Sequence, residues 1–134
     1  MSPALASILQ FVGRVLLSAI FIQGGLGKLG AADPTIAYIA KNGLPLPELA
    51  YWVAVLVELG GGLLILLGVQ VRMMSFILAA FCLATGFLFH FHPGDGPNMV
   101  NFMKNLAIAG GFIQLGLLGA GALSIDGYTR RGRV

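Results

Sequence analysis

Two charged residues stand inside long apolar stretches: Arg14 within Leu5–Leu29 and Glu58 within Leu49–Val69. A charge at the centre of a bilayer-crossing helix costs about 2.5–3.5 kcal/mol on insertion scales. Such residues pair with one another, face a protein interior or line a water-filled cavity. Arg14 is about nine residues in from one membrane face and Glu58 about nine from the other, which places both roughly 14 Å deep. Equal depth predicts an Arg14–Glu58 ion pair across the first hairpin. Two roles are open to it. It is a buried bridge that sets helix register, or it is the floor of a ligand cavity or proton path, with Glu58 the proton carrier and Arg14 its charge partner.

A second polar layer lies toward the outer face. Lys28 closes the first stretch, and Tyr51 and Trp52 open the second. His90 and His92 end the third, and Asn98, Asn101, Lys104 and Asn105 open the fourth. Asn101, Lys104 and Asn105 have i, i+3, i+4 spacing and share a helical face. Arg14 and Lys28 are about four turns apart and fall on a similar face. The pattern is a polar funnel leading down to Glu58. Lys28, His90, Lys104, Asn105 and Tyr51 are the candidate ligand-binding residues, with Glu58 and Arg14 as the candidate catalytic pair. Interfacial anchoring is the competing role, since lysines near helix ends snorkel to headgroups. Phe87, Phe89, Phe91, Tyr51 and Trp52 supply either an aromatic belt or a stacking wall for a planar lipid-soluble molecule such as a quinone.

His90 and His92 point apart on a continuous helix, so no metal is assigned to them. The single cysteine, Cys82, excludes an intrachain disulfide and any Cys-rich iron–sulfur or zinc centre. No Gly-rich nucleotide loop lies in a strand–helix context. No intrinsic cofactor is expected. Redox chemistry here must draw on a diffusible ligand, for which a quinone is the candidate, or on a redox partner protein.

The elements that hold these residues follow from composition. The chain has 134 residues, 57% hydrophobic and 10% charged, whereas soluble domains carry about 25% charged residues. It is predicted to be a membrane protein. A crossing takes about 20 residues, so four crossings nearly fill one domain, 1–134. The expected fold is an all-α, four-helix transmembrane bundle with helices over 5–29, 49–69, 73–91 and 103–123. Asp33-Pro34 predicts a short interfacial helix through Ala40. A very short link near Gln70 and Arg72 makes a hairpin, and Pro93-Gly94-Asp95-Gly96-Pro97 breaks the chain between the last two helices. The many glycines suit close helix packing. Arg72, Arg130, Arg131 and Arg133 gather on one side and Lys28, Lys41 and Lys104 on the other, which predicts N-in/C-in. The net charge of +3 reflects that topology, and no nucleic-acid partner is expected. Arg14 interrupts the first apolar run and no basic segment precedes it, so the first helix is expected to be retained.

Several of these residues together resemble a known family. They are Arg14, the Gly24-Gly25-Leu26-Gly27-Lys28-Leu29 ending, Glu58-Leu59-Gly60-Gly61-Gly62, Phe89-His90, and Asn101-Phe102-Met103-Lys104-Asn105-Leu106-Ala107. The combination resembles the DoxX family over nearly the whole chain. The resemblance implies a small, multi-pass protein of the bacterial inner (plasma) membrane with four helices. The family takes its name from relatives described as subunits of a terminal quinol oxidase and of a thiosulfate:quinone oxidoreductase. Other relatives are linked to oxidative-stress systems, and many have no established activity. The expectation is an outward-opening polar pocket that binds a quinone or similar lipophilic molecule, within a quinone-linked redox or oxidative-stress system. If the protein is an enzyme, it is a quinone-linked oxidoreductase subunit. A small transporter or channel and a non-catalytic assembly subunit are the alternatives. The expected partners are the lipid bilayer, a lipophilic small molecule and a redox protein, and a homo-oligomer is allowed.

Overall fold

The structure, a computed structural model, describes residues 1–131. Arg133 of the basic tail lies outside the described residues. Ser2 accepts from the Leu5 N–H and Pro3 occupies the first turn, which starts helix α1 (Pro3–Gly30) at once. Helix α2 (Ala32–Lys41) follows, with Asp33 in its first turn. Helices α3 (Pro47–Leu67) and α4 (Val71–His90) form the tight hairpin. Each contains one π-helical turn, Leu56–Gly60 in α3 and Gly86–His90 in α4. Helices α5 (Gly96–Leu118) and α6 (Ile125–Arg131) complete the chain, and no strand occurs among the described residues.

Helices α1, α3 and α4 are each long and apolar enough to cross a membrane. The fourth long helix, α5, packs along α4. It runs Gly96–Leu118 where the apolar pattern predicts 103–123. Its start is set by Asp95, whose carboxylate accepts from the Asn98 N–H, and by Pro97. These hydrogen bonds, first from the Asn98 side chain and then from its backbone, hold the Asp95 carboxyl below the usual carboxylate range. Its end is set by Gly119, at φ +84°, where only a glycine is unstrained.

Burial is inverted relative to a soluble protein. Leu16, Leu56 and Leu118 are exposed, whereas Arg14, Ser18 and Ser75 are fully buried. Apolar surface on this scale belongs against lipid. The central core is Phe21, Ile65, Leu78 and Phe112, with the two phenyl rings edge-to-face at 5.3 Å.

Glycine sets the α1–α3 register. A Cβ on Gly25 would lie 2.7 Å from Leu59 Cβ and 2.8 Å from the Leu59 backbone N. Gly25→Ala is expected to lower stability by about 1–2 kcal/mol through overpacking against rigid backbone. Gly27→Ala, whose Cβ meets nothing within 4 Å, is the control and is expected to unfold at or above the wild-type temperature. Equal effects of the two in detergent-solubilised thermal unfolding would contradict this register.

At the other end of that hairpin, the Gly68–Gln70 turn carries two positive φ angles, +75° and +51°. α6 clamps it. The Asp126 carboxylate accepts from the N–H groups of Gln70 and Val71, each at 3.0 Å. The Asp126 N–H donates to the Gly68 carbonyl at 2.9 Å. A distant carboxylate thus satisfies the N–H of the N-cap residue Gln70 and the first N–H of α4, at Val71, which the helix leaves without a partner.

Candidate functional site

Glu58 sits in the π-helical turn of α3 and His90 ends that of α4. Such turns recur at functional sites because the extra residue displaces side chains from the regular helical face. Glu58 points at α1 where Gly24 leaves room, since a Cβ there would be 3.4 Å from Glu58 Oε2. Lys28 stands one turn further along α1, and its Nζ lies 2.7 Å from Glu58 Oε2. Their side chains are 28% and 13% exposed. Oε2 makes no directed hydrogen bond, so the contact holds by charge.

The expected Arg14–Glu58 pair is not formed. Gly24 is level with Glu58, and Arg14 lies ten residues from Gly24 along α1, about 15 Å at helical rise. Arg14 instead donates Nη1 to the carbonyls of Ile65 (3.0 Å) and Leu66 (3.1 Å), and Nη2 to the Leu123 carbonyl. It caps the C-terminus of α3, where helix carbonyls lack partners and positive charge is favoured. The depth count failed because it took the ends of the apolar runs as level. The close glycine contacts slide the two helices, so that the first turns of α1 overhang the end of α3.

Lys28 and Glu58 face a cavity of about 360 Å3, walled also by His90, Asn105, Tyr38 and Phe89. His90 Nδ1 is buried without a partner. A smaller cavity of about 90 Å3 lies on the other side of Glu58 and reaches Cys82. Phe81, Thr85 and Asn105 border both cavities. A groove of about 670 Å3 along α1 is larger, but no ionisable residue lines it.

The other expected site residues are dispersed. Tyr51 is buried and donates its hydroxyl to the Lys28 carbonyl at 3.0 Å. It steadies the end of α1 that carries Lys28 and does not line the cavity. Lys104 lies on the exposed face of α5 beside Met99, Val100, Met103 and Ala107. Neighbouring residues on a helix are about 100° apart, so Asn105 reaches the cavity and Lys104 does not. His92 is exposed beyond α4, and among the described residues no cluster of three His, Cys, Asp or Glu side chains forms. Phe87 and Phe91 pack on Phe102, away from the cavity. Thr35 and Tyr38 of α2 were not foreseen. The amphipathic segment after Asp33-Pro34 is the signal that marks them, since its apolar side must cover something.

Residues 9–91 match the DoxX family model. Inner membrane protein YphA of Escherichia coli (strain K12) is 38% identical over 124 residues, covering 89% of this chain and 89% of its own length. Inner membrane protein YqjF of the same strain is 42% identical over 118 residues, covering 86% of this chain and 87% of its own length. No solved structure matches the chain.

Proposed function

The chain belongs to the DoxX family and is a multi-pass inner-membrane protein, and from that premise we propose that its Lys28–Glu58 cavity binds a small lipophilic molecule bearing hydrogen-bond-accepting oxygens. A quinone is the fitting class, and the setting is a quinone-linked redox or oxidative-stress system. One observation carries this reading: a largely buried ion pair faces a cavity of about 360 Å3 that also holds an unpartnered His90 Nδ1. Ligand sites have this character, with volumes of about 300–1,000 Å3, mostly apolar walls and few convergent polar groups.

The residues suit quinone oxygens. The Lys28 ammonium, the Asn105 amide and His90, from three different helices, are donors that line one cavity. Tyr38 and Phe89 offer flat faces beside them. A bound quinone supplies reversible two-electron, two-proton chemistry. The chain's part is to orient the oxygens, to keep water away with α2, and to hold or release a proton at the Glu58 carboxylate while Lys28 balances its charge. By the positive-inside rule the α2 end faces away from the cytoplasm. The α6 end is tied shut by Arg14 and Asp126, which favours a one-sided pocket over a transport route.

Protein purified in mild detergent is expected to release a lipophilic molecule into organic solvent, identifiable by mass spectrometry, and to bind an added short-tailed quinone saturably. Glu58→Gln and His90→Phe should each weaken that binding by about tenfold, equivalent to about 1.4 kcal/mol. Wild-type protein that neither retains nor binds any quinone overturns the reading.

A further inference from the structure

α2 lies across the end of the cavity. Thr35, Tyr38 and Ile39 form its wall there, with Ile39 buried and Tyr38 stacked on Phe89 at 5.6 Å. The side between α3 and α4 is different. The two helices pack together from their tight turn up to the π-helical turn at Leu56–Gly60, and their contact falls away beyond it. In that outer half, Ala50 and Val53 of α3 and Ala84 and Leu88 of α4 line the cavity. Val53 is nonetheless 48% exposed and Leu88 50%, and Ala84 is exposed as well. These three side chains border the cavity and the outer surface at once, Ala50 beside them is half-buried, and all four are apolar.

We infer that the α3–α4 gap is a lateral portal to the bilayer, admitting an amphiphile whose oxygen-bearing head reaches Lys28 and Glu58 while the near part of its apolar tail threads the gap past the cavity wall and the rest lies among the lipid chains. The inference rests on the Lys28–Glu58 cavity being the ligand site. Val53 is six residues past the start of α3, roughly 9 Å at helical rise. Leu88 is two residues before the end of α4. The gap therefore opens near the boundary between headgroups and acyl chains, where an amphiphile's head already resides. Residues of both π-helical turns line the cavity beside it, and two of the side chains at its edges are the small Ala50 and Ala84. A tailed ligand arriving this way keeps its tail out of water throughout, whereas the end-on route passes the α2 roof.

The portal is tested in vesicles of phosphatidylcholine carrying a photoreactive diazirine on one acyl chain. After illumination, peptide mass spectrometry is expected to find acyl adducts on the inner wall at Ala54, Phe81 or Thr85, as well as on lipid-facing Leu16 and Leu117. Ala84→Trp should abolish the inner adducts and keep the outer ones. Leu88→Trp, at a half-exposed position, does the same should Ala84→Trp fail to fold. Adducts confined to the outer surface overturn the portal, whatever the protein does with quinones. In a second arm, Ala84→Trp should slow association of a long-tailed quinone by about tenfold or more and leave a tailless quinone little changed. Equal rates for both quinones in wild type and variant overturn the portal. If wild type binds neither quinone, the proposed ligand class fails, and the labelling arm alone decides the portal.

Discussion

Arg14→Met is expected to destabilise the protein by about 3 kcal/mol and to loosen the α3–α4 turn and α6 rather than the surroundings of Glu58. Arg14 is 1% exposed and its guanidinium serves the carbonyls of Ile65, Leu66 and Leu123. A carbonyl left unsatisfied in a buried setting costs about 1–3 kcal/mol. Losing three partners outweighs the relief of no longer burying the charge. Arg14→Lys should recover only part, because a point charge cannot reach α3 and Leu123 together as the planar fork does. Thermal unfolding in detergent gives the magnitude. Hydrogen exchange gives the location: the amides of Gln70, Val71 and Asp126 should lose protection first. Loss centred on Leu56–Gly60 instead would falsify the capping role.

Lys28→Met is expected to cost about 2–4 kcal/mol, since it leaves the Glu58 carboxylate, 13% exposed, without its counter-charge. The cost is lower than for a fully buried pair because Lys28 is 28% exposed and water screens part of the attraction. Adding Glu58→Gln to Lys28→Met should restore most of the loss, because the uncompensated charge is gone. Glu58→Gln combined with Arg14→Met should behave differently. Those sites are separated by about ten residues of helix and share no partner, so their effects should add within about 0.5 kcal/mol. A double-mutant cycle on both pairs reads this directly. Strong coupling between Arg14 and Glu58, with none between Lys28 and Glu58, would reverse the assignment.

The exchange of partners shows where reading residues in order stops. Arg14 and Glu58 are legible as costly charges because cost depends on residue type and apolar surroundings. Their partners depend on how far α1 slides along α3, and that offset is set where Gly25 meets Leu59 and Gly62 meets Ile22. Nothing in the apolar pattern encodes it, since the pattern reads the same at every offset. His90 and Asn105 were legible as polar residues at helix ends, and both line the cavity. Lys104 satisfied the same i, i+3, i+4 spacing and faces outward, because that spacing spans a wide arc of helix. Helix α6 and the Asp126 clamp were invisible, since seven residues are too few to show a period. The π-helical turns had no sequence signature at all.

Sequence alone determined the all-α membrane class, the family, the tight α3–α4 link, the short helix after Asp33-Pro34 and the short roster of polar residues able to do chemistry. These depend on residue type, run length and turn chemistry, which act locally. Tertiary structure decided that Lys28 serves Glu58, that Arg14 closes the far end of α3, that α2 roofs the cavity, and that α3 and α4 part beside it. Those outcomes depend on contacts between residues tens of positions apart, each chosen by which backbone can approach which and which buried polar group must find a partner.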